Sequence, residues 1–186
     1  MPRLLILLTL TLVLTACGDA TAPAQEPGTT PAAPEQAATR ALPQLDADAI
    51  EALVAESVAK GQITVIDFWA TWCAPCIAMF PDLHTGLKDL GDAVRPVSIT
   101  LDVPGDYEQQ AIDFLDKHHA LHDAYLLYPD ADAQIEVVNR IADSWNDLVV
   151  PAVFVYDASG NLIGEFVGGS DPQPIIEKAR SLLPTN

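Results

Sequence analysis

The chain is 186 residues long and sets nine Lys plus Arg against 26 Asp plus Glu, a formal charge of −17. With no basic patch to displace counterions from a phosphate backbone, that balance excludes nucleic acid as a partner. At 49% apolar and 19% charged residues the chain is not wholly disordered, and its length suits one domain with appendages, because ~150 residues already bury about 70% of the unfolded surface.

Leu4 to Leu14 is an apolar run behind one basic residue, Arg3. It is too short for a hydrocarbon core, which needs about 20 helical residues, so residues 1–16 read as a signal peptide. The run ends in Leu14-Thr15-Ala16-Cys17, which resembles the bacterial lipoprotein processing box. That resemblance implies lipidation of Cys17, which would hold the domain at a membrane surface without spanning it. It would also leave Cys73 and Cys76 as one close pair among the three cysteines. From Gly18 to Pro43 the composition turns to Ala, Thr, Pro, Gln and Glu. Such a segment buries too little to offset chain entropy and is expected to act as a tether of ~28 Å root-mean-square reach, which places the domain at residues 44–186.

Helical periodicity starts near Leu45, with Asp46 as N-cap, Ile50, Leu53, Val54 and Val58 on one side, and Gly61 as the stop. Ile63 to Trp69 is an almost continuously apolar strand of the kind covered on both faces, interrupted only by Asp67. A helix is expected from Ala74 to Leu90, bent near Pro81. Val94 to Leu101 reads as strand, Tyr107 to His119 as helix, Tyr125 to Tyr128 as a short strand and Gln134 to Trp145 as helix. Ala152 to Tyr156 and Leu162 to Val167 form a hairpin around Asp157 to Asn161, and Pro174 to Leu183 closes the chain as a helix. This alternation indicates an α/β sandwich around a mixed sheet.

The chemistry concentrates in Trp72-Cys73-Ala74-Pro75-Cys76, between the first buried strand and its helix. Unpaired N–H groups and the positive end of the helix dipole favour a thiolate at Cys73 and lower its pKa. Two intervening residues on a helical turn bring the sulfurs within bonding reach, so the pair alternates between dithiol and disulfide. Cys73 is the expected nucleophile toward a partner disulfide, and Cys76 the residue that resolves the mixed disulfide.

The segment Val65-Ile66-Asp67-Phe68-Trp69-Ala70-Thr71-Trp72-Cys73-Ala74-Pro75-Cys76, with Pro81 five residues on, resembles the thioredoxin superfamily and, within it, the exported TlpA/ResA-type thiol-disulfide oxidoreductases. Val149 to Asp157 resembles that family's cis-proline segment. The resemblance implies an α/β thioredoxin fold, a mixed central sheet flanked by helices, with an inserted strand and helix between the two motifs. It implies a cis Val150-Pro151 bond whose backbone, beside Trp72, Ala74 and Pro75, receives a client peptide. Asp67 matches the family's buried acid; burial would raise its pKa and suit it as general base toward Cys76. No cofactor beyond the Cys73-Cys76 disulfide is expected.

Met79 stands where many such relatives carry a glutamate, which leaves Asp67 to act alone. Ala74-Pro75 lacks the histidine that strongly oxidising relatives place before the second cysteine, which points to a reductant. His118 and His122 are spaced as metal ligands on a helix, but no nearby Cys or carboxylate completes a set, and a solvated helix end is preferred. His84 is read in the same way, Trp72 as a shield for Cys73, and Trp69 and Trp145 as packing residues. The expected activity is reduction of disulfides in exported client proteins by an anchored monomer at an extracytoplasmic face, with a membrane thiol transporter as electron donor. The alternative is a Cu(I)-binding metallochaperone, because a dithiol is soft enough for that ion. No metal site is assigned.

Overall fold

The computed structural model describes residues 40–142 and 144–184. The signal peptide, Cys17 and nearly all of the tether therefore lie outside the described residues.

Asp46 caps the first helix as expected, its carboxylate accepting from the Ala49 N–H at 2.9 Å, and α1 runs Ala47–Ala59. Gly61, at φ 67°, turns the chain out of that helix into β2, Ile63–Trp69. Ahead of α1 lies a two-residue strand, β1 (Gln44–Leu45), that the helical pattern did not reveal. The folded body also starts before the expected boundary at residue 44. Leu42, assigned to the tether, is 6% exposed and its N–H donates to Glu108 at 2.9 Å.

The following elements are α2 (Ala74–Lys88), β3 (Val94–Thr100), α3 (Asp106–Lys117) and β4 (Ala124–Leu127). After them come α4 (Ala131–Ile141), β5 (Ala152–Tyr156), β6 (Leu162–Val167) and α5 (Gln173–Ser181). Helix α4 is shifted from the expected Gln134 to Trp145. The Asp130 carboxylate caps it early by accepting from the Asp132 and Ala133 N–H groups, and Ala142 leaves helical geometry with φ −160°. Trp145 therefore enters the core from a loop.

The sheet order is β1-β4-β3-β2-β5-β6, parallel as far as β2 and antiparallel through β5 and β6. The period-two alternation of β2 divides its side chains between two cores. Ile66 and Phe68 point with Val97, Ile99 and Phe154 toward α1, Val137 and Trp145, whereas Ile63 and Val65 point toward Met79, Leu83 and Leu87 of α2 and Ile175 and Ile176 of α5. Asp67 shares the parity of Ile63 and Val65, so it faces α2 from the middle of a strand that is buried throughout.

Candidate redox site

Strand β2 ends at Trp69, and α2 begins at Ala74 with Cys73 as its N-cap. The Cys73 sulfur accepts from the Cys76 N–H at 3.3 Å, so one of the helix's free donors is aimed at the atom expected to carry negative charge. Cys73 and Cys76 are joined in a disulfide with a Cα separation of 5.2 Å. Cys73 is 5% exposed and Cys76 1%, which leaves the first as the more accessible residue of the pair. Both pack in a cluster with Trp69, Ala70 and Phe80, and Val150 packs against it.

The Val150-Pro151 peptide is cis. The loop before it is held by Trp145, whose indole N–H donates to the Val149 carbonyl at 2.8 Å, and the loop after it by the Gly168 N–H, which donates to the Pro151 carbonyl at 2.8 Å. Around the disulfide Trp72 and Val149 are 62% and 44% exposed, and Ala74 and Pro75 are also exposed. Trp72, read as a shield for Cys73, is itself largely in solvent.

Asp67 is fully buried, and neither carboxyl oxygen has a hydrogen-bond partner among the described residues. Burial pushes its pKa up to about 7. In register it lies beside Ser98 of β3 and Val153 of β5. The Ser98 hydroxyl is already engaged, accepting from the Trp69 indole at 2.7 Å.

Sequence reasoning missed Asp102. Buried just past β3, its carboxylate accepts from the Thr71 N–H, the Thr71 hydroxyl and the Thr100 hydroxyl at 2.9, 2.7 and 2.6 Å. It ties the loop that carries Trp72 and Cys73 to the end of the neighbouring strand. The only signal for it was an acid directly after an apolar strand, and its target lies 31 positions away. Met79 is buried among apolar residues, so no second acid sits at that point of α2.

His84, expected at a solvated surface, is 4% exposed, stacks on Phe80 at 3.9 Å and faces Asp67. His118 ends α3 and packs on Phe114 at 4.6 Å, whereas His122 lies beyond the helix, fully in solvent beside Asp123. The chain leaves helical geometry at His119, φ 54°, so the i, i+4 spacing of His118 and His122 never becomes a shared face. No group of three or more metal-ligating side chains occurs among the described residues. A cavity of about 550 Å³ between α1, Arg140 and the β5–β6 turn is lined by neither cysteine.

A mixed sheet whose buried strand leads into a CxxC helix, with a cis-proline loop packed against the cysteines, defines a thioredoxin-fold protein. The thioredoxin family matches residues 41–111. The chain is similar to the thiol:disulfide interchange protein HelX of Rhodobacter capsulatus, with 30% identity over 66% of this chain and 62% of that protein. It is also similar to the DsbE homolog of Paracoccus denitrificans, with 28% identity over 62% of this chain and 56% of that one. It thus spans about 60% of the length of these curated relatives. Among solved structures, a thiol:disulfide interchange protein from Chlorobium tepidum aligns with a TM-score of 0.55 at 20% identity, over 77% of this chain and 97% of that one. A DsbF homologue from Corynebacterium diphtheriae aligns with a TM-score of 0.53 at 26% identity, over 67% and 76%.

Proposed function

We propose that the protein is a thiol-disulfide oxidoreductase that reduces disulfides in exported client proteins from an extracytoplasmic membrane surface. The observation that carries this reading is the Cys73–Cys76 disulfide at the N-terminus of α2, with the Cys76 N–H directed at the Cys73 sulfur. The similarity to thiol:disulfide interchange proteins supports it.

In the reduced protein the Cys73 thiolate attacks a client disulfide, one client sulfur leaves as thiolate, and a mixed disulfide forms. Cys76 then loses its proton to the Asp67 carboxylate and attacks the Cys73 sulfur; the second client sulfur leaves as thiolate and the protein is left oxidised. Asp67 suits this step because burial sets its pKa near the working pH, so it can take the proton and give it up again. Exposed Trp72, Ala74 and Pro75, with the Val150-Pro151 backbone, supply the docking surface for an extended client segment. A membrane thiol transporter returns two electrons to the pair, and lipid at Cys17 keeps the domain at the membrane. The active form is a monomer.

Cys76→Ser tests the reading. The variant should accumulate clients covalently on Cys73, recovered after alkylation and released by reductant. A variant whose Cys73 remains reactive to alkylating agents but captures no client overturns it.

A further inference from the structure

Two buried polar side chains meet behind the disulfide without satisfying one another. The Nε2 of His84 lies 3.8 Å from the Asp67 Oδ2, and neither that nitrogen nor either carboxyl oxygen has a hydrogen-bond partner among the described residues. A buried polar group left unpaired is destabilising, so a leucine at position 84 would suit the surrounding packing better. Cys76, Phe80 and His84 follow one another at i, i+4 steps along α2, which places His84 ~12 Å up the helix from the resolving cysteine.

His84 also lines a cavity of about 290 Å³ together with Gln62, Lys88, Val94 and Arg95. Gln62 precedes β2 and Val94 opens β3, so this cavity lies at the end of the sheet where the parallel strands begin. The disulfide follows the opposite end of β2. Asp67 lies between these two ends on β2, and its flanking positions on the sheet offer nothing titratable: Val153 on one side, and on the other Ser98, whose hydroxyl serves Trp69.

We propose that His84 is the positioning and relay residue through which buried Asp67 exchanges its proton with solvent, by way of this cavity and away from the bound client. The inference rests on the role of Asp67 as base toward Cys76. A neutral His84 ring protonated on Nδ1 accepts the proton from the Asp67 carboxyl at Nε2 and releases the Nδ1 proton to water in the cavity. Asp67 is left as carboxylate and no electron moves. Closing the pair to hydrogen-bond contact takes less than ~1 Å of side-chain movement.

The charges around the ring favour the neutral form between transfers. Burial first, then Lys88 on the same helix and His118 at the end of α3, push the His84 pKa down to about 3. Arg95 is held by Asp123 at 2.6 Å, and Lys88 donates to the His119 carbonyl at 2.6 Å. Asp92, His119, His122 and Asp123 complete the charged and titratable lining. The imidazolium is thus a transient that sheds its proton, as a relay requires.

The test is a stopped-flow single turnover of the reduced full chain with a peptide disulfide, in which the second phase reports resolution by Cys76. His84→Gln and His84→Leu should slow that phase about tenfold at pH 7 and displace its pH inflection, with the first phase unchanged. In His84→Ala, millimolar imidazole should restore the rate and the like-sized pyrrole should not. A second phase that keeps its wild-type rate and inflection in His84→Leu, while Asp67→Asn abolishes the inflection, overturns the relay and leaves the base in place. If Asp67→Asn also changes nothing, it is the base that has failed. Should the variants not fold, a proton inventory in mixed H₂O and D₂O on the wild type decides: curvature from two protons in flight is expected, and a linear inventory overturns the proposal.

Discussion

Asp67 is the residue on which pH acts most directly. Its carboxyl holds a proton up to about pH 7 in the folded state, against 3.8 ordinarily. Between those values the folded chain binds more proton than the unfolded one, so the contribution of Asp67 is full below the lower value and is lost as pH rises through the upper. His84 runs the other way, its contribution being lost as pH falls from 6.5 toward about 3. A comparison of Asp67→Asn with wild type isolates the first effect. The variant should gain about 3 kcal/mol relative to wild type between pH 5 and pH 8, read by denaturant titration of the oxidised proteins. A difference that does not change with pH would show that Asp67 is ionised in the folded state. The anomaly of an acid in an apolar strand was legible in the sequence. Its partner was not, because His84 sits on a helix whose pattern places polar and apolar residues alike, and only packing on Phe80 turns it inward.

Helix α2 depends on a close approach to α5. A Cβ built on Gly86 would run into the Ile176 Cδ1 and lie 3.1 Å from its Cγ1, and Ile176 is buried. Gly86→Val should cost about 1–3 kcal/mol by overpacking despite better intrinsic helix formation, and with Ile176→Ala in the same chain the combined loss should fall short of the sum of the two single losses. Additive effects in thermal unfolding would mean that the two do not touch. Element positions followed local signals where those were strong. Asp46 and Gly61 bracket α1 as expected, and the β2 limits match because a β-rich, almost continuously apolar stretch leaves little choice. The start of α4 was missed because the Asp130 cap opens the helix ahead of its apolar spacing, and β1 because two residues carry no period. β1 exists through pairing, with the Leu126 and Tyr128 N–H groups donating to Pro43 and Leu45.

Over the whole molecule, the chain between α4 and the cis proline packs back against the core through Trp145. Trp145 is fully buried, with ring centroids 4.5 Å from Phe68 and 5.3 Å from Phe154, and its indole N–H holds the loop before Pro151. Trp145→Ala should cost about 3–5 kcal/mol in denaturant unfolding, and a loss below 1 kcal/mol would show that the segment is not anchored there. Composition and the two motif segments determined by themselves the fold class, the strand order of β2 through β6 along the chain and the cysteine pair, because helix and strand periods, caps and the CxxC spacing are local. Tertiary structure alone decided that Asp102 clamps the loop before Cys73, that Trp145 braces the cis-proline loop and that His84 meets Asp67. Those contacts join residues distant along the chain, and their energies come from burial and hydrogen-bond satisfaction, which exist only once the elements are packed.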